Sequence, residues 1–184
     1  MPKFPESIED YRLAYFTQEN ALMVKRWRNE QVAVLRQDHL LTDHEQINYY
    51  NNVIKPLFKM DQPEQILFSY HKKDELIGYG GLTHIDWLSR RAEISFLLAT
   101  DRIKDHDSYG QEFSRFLKLL KRAAFNELGL NRLYTETFDL RPWHVEVLEK
   151  NNFRFEGRLK QHVLIEGRYV DSLMHGCLKE YEYA

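Results

Sequence analysis

The chain has 184 residues, is 43% hydrophobic, 14% aromatic and 29% charged, and carries a formal net charge of −2. That balance excludes a mainly disordered chain and gives no bulk attraction to nucleic acid. No apolar run approaches the ~20 residues of a membrane span, and the single cysteine, Cys177, permits no internal disulfide.

The opening Met1-Pro2-Lys3-Phe4-Pro5-Glu6 lacks the charged-then-apolar layout of a secretory signal. These features describe one cytoplasmic domain over residues 1–184, a monomer or homodimer, with Cys177 read as a small buried residue of a late strand. Residues 11–16 read as a first strand. Thr17 then caps a helix through Asn20-Ala21-Leu22-Met23-Val24-Lys25-Arg26-Trp27-Arg28. Trp27 and Arg28 suit either an acceptor-binding surface or the buried and solvated faces of that helix. Thr42-Asp43-His44-Glu45 is a capping box for a helix bearing Ile47, Tyr50, Ile54 and Leu57. Tyr49 and Tyr50 are adjacent, so at ~100° per residue one of them turns from the core toward a cleft. Tyr50 is the candidate.

Residues 65–71 and 76–86 read as strands joined by the polar turn Lys72-Lys73-Asp74-Glu75. The second contains Gly78, Gly80 and Gly81, which mark a sheet bend or the close approach of another backbone or a ligand. Residues 90–99 pair back across the loop at Trp87. Within them Glu93 is a carboxylate on an apolar central strand, expensive to bury unless it is paired or used. Glu93 is thus the leading candidate to receive a substrate proton, with a salt bridge to Arg90 or Arg91 as the structural alternative. His84 and Asp86 are second choices.

A polar loop at 100–107 leads into a long amphipathic helix ending at Leu128. Its apolar stripe is Phe113, Phe116, Leu117, Leu120, Ala124 and Leu128. Ser108 with Gln111 reads as the capping box of this helix, and Gly129 as its left-handed end. Residues 130–138 form a strand with glutamate and threonines interleaved. Arg141-Pro142 opens another helix, closed at Asn151 or Asn152. Residues 153–165 and 168–178 make a final pair of strands around Glu166-Gly167. No metal-ligand spacing, Ser-His-Asp arrangement or internal repeat is present. The pattern is an α/β (α+β) layered domain with a mixed, mostly antiparallel sheet.

Several pieces occur in a telling order: Ile77-Gly78-Tyr79-Gly80-Gly81, Ala92-Glu93-Ile94, Tyr109-Gly110-Gln111-Glu112, Ala124-Phe125-Asn126-Glu127-Leu128-Gly129, Leu148-Glu149-Lys150-Asn151-Asn152-Phe153 and Gly167-Arg168-Tyr169-Val170-Asp171. The set resembles the GCN5-related N-acetyltransferases (GNAT). Within them it is most similar to the ribosomal-protein-alanine and nucleotide-sugar amine acetyltransferases, with a weaker echo at Lys25-Arg26-Trp27-Arg28-Asn29. The resemblance implies a seven-stranded sheet whose fourth and fifth strands splay into a V that holds acetyl-CoA. It further implies direct attack on the thioester by an amine, either a small molecule or a peptide terminus; the net charge, the ligand spacings and the apolar runs for their part predict no nucleic acid, metal or membrane. It assigns the pantetheine to the backbone at Leu97, Leu98 and Ala99. The pyrophosphate goes to the loop carrying Arg102, Lys104, Ser108, Tyr109, Gly110 and Gln111.

The chain departs from the family pattern at three places. The usual loop, Gln/Arg-x-x-Gly-x-Gly/Ala, here reads Asp105-His106-Asp107-Ser108-Tyr109-Gly110, and Asp101, Asp105 and Asp107 oppose a pyrophosphate. Leu148 stands where many relatives carry a proton-donating tyrosine, and His144 matches a serine proposed for that role in the ribosomal-protein branch. Arg141 replaces an asparagine that contacts pantetheine. The opposed reading is a degenerate domain that keeps the fold as a binding or assembly module.

Overall fold

The computed structural model describes residues 7–182; residues 1–6, read above for a secretory signal, lie outside them. Seven strands form one sheet in the order β1-β2-β3-β4-β5-β7-β6. They are β1 (Tyr11–Tyr15), β2 (Ile66–Lys72), β3 (Glu75–Asp86), β4 (Arg91–Leu98), β5 (Arg132–Phe138), β6 (Arg154–Ile165) and β7 (Arg168–Leu178). Every neighbouring pair is antiparallel except β4 and β5, which run parallel. The helices are α1 (Gln18–Glu30), α2 (Asp43–Tyr49), the single turn α3 (Lys55–Leu57), α4 (His106–Arg122), α5 (Pro142–Lys150) and the terminal α6 (Lys179–Glu182). This is the mixed, mostly antiparallel sheet flanked by helices that the sequence pattern implies.

Alternation along the strands builds a core on each face. Ile94 and Leu98 join Phe113, Phe116, Leu117 and Leu120 of α4, while Leu97 and Ala99 join Ala21, Val24 and Trp27 of α1. Phe116, Leu117 and Leu120 are fully buried, and at about 1.5–3 kcal/mol for each such side chain they bind α4 firmly to the sheet. Cys177 is buried in the same core, and burial pushes its thiol up to about 11.

Local signals set most element ends. Thr42 Oγ1 accepts the Glu45 N–H (3.2 Å) while the Glu45 carboxylate accepts the Thr42 N–H (2.8 Å), so the predicted capping box forms. From α2 the chain continues through a π-helical turn, Tyr50–Ile54, into α3. Beyond α4 the chain runs on through a second π-helical turn, Ala123–Glu127, in place of the regular helix expected as far as Leu128; Gly129 (φ 65°) after that turn and Asn152 (φ 67°) after α5 take the left-handed conformation at two helix ends. Glu166 (φ 49°) and Gly167 (φ 76°) do so in the β6–β7 turn.

One expected cap does not form. The N-cap of α4 is Asp105, whose carboxylate accepts the Asp107 N–H (3.2 Å) and the Ser108 hydroxyl (2.6 Å). Ser108 already lies inside the first turn. Aspartate caps as well as serine, and starting at Asp105 adds residues to the helix, so the earlier start wins.

The β3 glycines answer to the sheet. A Cβ on Gly80 would sit 2.2 Å from the Ser95 carbonyl oxygen and 2.9 Å from Phe116, so the adjoining backbone and the α4 core exclude any side chain there. Among the described residues no helix is long and apolar enough to cross a membrane, and no cluster of three or more His, Cys, Asp or Glu could hold a metal.

Candidate active site

β4 and β5 pair only at Arg91–Arg132, Ala92–Leu133 and Glu93–Tyr134. Beyond these positions they diverge, and a cavity of about 600 Å³ opens between them. Ile94, Ser95 and Phe96 form one wall, and Thr135, Glu136, Thr137 and Phe138 the other. Phe113, Arg141 and His144 close the cavity on the α4–α5 face of the sheet, and Arg28, Tyr49 and His84 line it on the α1 face. The cleft thus communicates with both faces.

Glu93 lies at the apex of the V, 8% exposed. Its carboxylate accepts from Arg36 at 2.6 and 3.3 Å and is 2.9 Å from His84 Nδ1. Arg36 also donates to Glu136 at 2.9 Å, so one guanidinium spans the two strands. The anticipated partners, Arg90 and Arg91, do not serve. Arg91 instead faces Asp86 at 3.4 Å, and Asp86 caps the turn through the Ser89 N–H (2.8 Å), outside the cavity wall. His84 reaches Glu93 from a bulge. The β3–β4 register shifts between Thr83 and Asp86, and His84 adopts φ 48°, a conformation rare for non-glycine residues that re-aims its ring.

The other acceptor candidates divide. Arg28 lines the cavity, with Nε donating to Gln37 (3.1 Å), whereas Trp27 is 6% exposed in the α1 core and does not reach it. Of the adjacent tyrosines it is Tyr49 that faces the cavity, its hydroxyl donating to Gln65 (3.2 Å). Tyr50 packs edge-on against Phe16, because the helix direction turns it inward.

Among the residues expected to meet the cofactor, the Ala99 N–H donates to the Ile77 carbonyl, and the Leu98 carbonyl accepts from the buried Gln31 amide (2.8 Å). Leu97 shares the core with α1. Arg102 is held by Glu112 and Glu75, each at 2.7 Å, which ties the loop to β3 and α4. Lys104, Ser108 and Gln111 are exposed near the α4 start, where Asp105 occupies the cap. The hydrogen bonds from Ser108 and the Asp107 N–H hold the Asp105 carboxyl below its ordinary range. Gly110 packs near Val147, which a Cβ would meet at an ordinary 3.5 Å.

Tyr109 and His144 form a buried pair. The Tyr109 hydroxyl lies 2.6 Å from His144 Nδ1, and the imidazole stacks on Phe113 at 4.5 Å and 17°. Burial, then the charge of Arg141, then His175 push the His144 pKa well below the ordinary histidine value, so the ring is neutral. Burial pushes the Tyr109 phenol up to about 12. Arg141 makes no ion pair among the described residues, and its Nε is buried without a partner, as is Thr135 Oγ1 across the cavity.

Arg36, Glu136 and Gln31 join this candidate site without having been singled out in the sequence, whereas Tyr49 is one of the two tyrosines weighed for the cleft. Glu136 had a signal, an acidic residue alternating with threonines on β5. Arg36 and Gln31 follow a helix end, where no periodicity points a side chain.

A family model described as an acetyltransferase (GNAT) domain matches residues 13–174. The chain belongs to the GNAT acetyltransferase family. A protein of Bacillus licheniformis, an uncharacterized N-acetyltransferase named p20, is 27% identical over 164 residues, covering 89% of this chain and 88% of that protein. In fold this family member is similar to a spermidine N-acetyltransferase from Vibrio cholerae solved with CoA and spermine, with a TM-score of 0.81, 20% identity and coverage of 95% and 99% of the two chains. A mutant form of the spermidine/spermine N-acetyltransferase from the same organism superposes with a TM-score of 0.79 at 19% identity, covering 95% of this chain and 96% of that one.

Proposed function

We propose that this GNAT domain is an acetyl-CoA-dependent N-acetyltransferase acting on a primary amine by direct attack on the thioester. The observation that carries the reading is the open V between β4 and β5, with Glu93 buried at its apex. Two polar atoms in its wall, Arg141 Nε and Thr135 Oγ1, lack protein partners, as expected where a polar substrate arm completes the site.

Each group then has a task. Glu93 takes the proton of the attacking amine, directly or through water, and its geometry with His84 and Arg36 fixes the carboxylate. The Arg36 guanidinium occupies the space between Glu93 and Glu136 and yields to a cationic acceptor, whose ammonium finds the same two carboxylates. Arg28 and Tyr49 shape the rest of the acceptor side. The backbone at Leu97, Leu98 and Ala99 borders the pantetheine arm, and Leu98 offers its carbonyl once Gln31 releases it, while the Ala99 N–H stays with Ile77. The pyrophosphate meets Lys104 and the first two turns of α4 (Ser108, Tyr109, Gly110 and Gln111), beside an atypical loop in which Arg102 is already paired with carboxylates.

The acceptor is an amino sugar or a protein N-terminus, as the sequence resemblance implies, or a polyamine, as the substrates named for the structural neighbours suggest. Free-thiol release from acetyl-CoA against amino sugars, N-terminal peptides and spermidine separates the three, and titration calorimetry with acetyl-CoA tests the core claim. Absence of binding at millimolar ligand overturns it. The Asp105-capped loop favours a second reading, a binding module with weak or no affinity for CoA. Thiol release that vanishes in Glu93→Gln excludes that module.

A further inference from the structure

An amine attacking a thioester expels a sulfur anion, and inside a closed cleft that sulfur needs a proton from the protein. Leu148, fully buried, cannot supply one. Nor can His144 act as an imidazolium, because the environment that excludes water and places Arg141 beside the ring keeps it neutral. The ring is nevertheless well placed, since it lines the cavity and is held flat against Phe113.

The hydrogen bond at its far side resolves the conflict. Tyr109 is 2% exposed, and among the described residues its hydroxyl has no hydrogen-bond partner other than His144 Nδ1 at 2.6 Å. If Nδ1 carried the proton, the phenolic O–H would be left buried and unpaired, at a cost of about 1–3 kcal/mol. The favoured tautomer therefore has Tyr109 donating to Nδ1 and the proton on Nε2. Nε2 has no bond to any described residue.

We propose that Tyr109 and His144 form a two-step proton relay to the leaving sulfur, with Arg141 stabilising the charge left behind. The inference rests on the acetyl-transfer reading above. As the C–S bond breaks, its electron pair goes to sulfur, and Nε2–H passes to that sulfur. The Tyr109 O–H proton moves onto Nδ1 in the same process, so His144 ends neutral in its other tautomer and Tyr109 ends as a phenolate. The proton lost by the amine resides on Glu93. After the products leave, water carries the balance, since Glu93 releases its proton and the phenolate regains one. The charged and titratable groups facing the pair are Arg141 at the start of α5 and His175 on β7, with Glu149 3.7 Å from His175. Arg141, lacking a carboxylate of its own, is the cation that a transient phenolate requires.

The test begins with the unaltered protein, reading kcat at saturating acetyl-CoA and acceptor from pH 6 to 10. The relay gives a kcat with no alkaline decline through pH 10, because the Tyr109 pKa is pushed up to about 12. A decline with a midpoint near ~6.5 would make imidazolium the acid and overturn the relay. Tyr109→Phe keeps the stacked ring and removes only the hydroxyl. It should lower kcat about 100-fold, leave KM for acetyl-CoA within about twofold and preserve the melting temperature. A kcat within about threefold of the parent overturns the proposal, and a variant that does not fold leaves the pH profile to decide. If the unaltered protein releases no thiol with any amine, the acetyltransferase reading itself fails, and the relay with it.

Discussion

Replacing Glu93 by glutamine changes one atom and tests the site directly. The carboxylate receives Arg36 at 2.6 Å on one oxygen, and on the other meets Arg36 at 3.3 Å and His84 at 2.9 Å. Glutamine keeps the shape and one acceptor, but its NH₂ must face either Arg36 or His84 and it cannot take a proton from an amine. General-base assistance contributes about 10²–10⁴-fold, so Glu93→Gln should lower kcat by that factor, about 3–5 kcal/mol of barrier. Arg36 retains Glu136 at 2.9 Å, so the fold should survive, as a thermal melt by circular dichroism would register. Steady-state thiol release gives kcat and KM separately. A kcat within about threefold of the parent, in a folded variant, would refute the assignment of Glu93 as the proton acceptor.

Asp105→Asn keeps a cap but removes a charge from the α4 start, so calorimetry should find acetyl-CoA bound about three- to tenfold tighter at low salt, with the gain shrinking as salt is added. Arg141→Met removes a largely buried cation that has no carboxylate partner. It should raise the melting temperature while weakening acetyl-CoA binding about tenfold, and an unchanged affinity would refute a contact between Arg141 and the cofactor. Gly80→Ala forces a Cβ to 2.2 Å from the Ser95 oxygen, and urea melts should record a loss of about 3 kcal/mol or more. His144 titrates below its unfolded value, so between the two pKa values the unfolded chain binds the extra proton. Stability should therefore fall as pH drops below ~6.5, by up to ~1.4 kcal/mol per unit, with His71 and His175 acting in the same direction. Urea midpoints at pH 7.5 and 5.5 measure this decline, and His144→Gln should flatten it.

Regular repetition made the sheet and α4 legible from sequence. The three- and four-residue spacing from Phe113 to Leu128, the Gly129 stop and the Thr42–Glu45 box all act over a few residues and needed no tertiary information. The cap of α4 was misread because two sound signals, Asp105 and Ser108, compete within one turn. Local rules do not say which start packs better. Glu93 stood out as a carboxylate on an apolar strand, yet its partner comes from Arg36, 57 residues away, on a loop without periodicity. Tyr49 and Tyr50 illustrate the same limit, since adjacency shows that they diverge but not which one meets the cavity. The Tyr109–His144 contact spans two helices whose packing alone brings a phenol to an imidazole.

The short seam between β4 and β5 bears on affinity. A strand edge exposed within a protein is ordinarily covered, because its amides and carbonyls seek another backbone. Here such an edge is kept inside the molecule, and one of its carbonyls, on Leu98, is already taken by a glutamine side chain acting as a temporary neighbour. An amide-bearing chain of the right length can take the place of the strand that is not there, adding ladder hydrogen bonds to its own. The affinity for such an arm is thus held in reserve as sheet that was never closed, and substitutions that lengthen the β4–β5 pairing should diminish it.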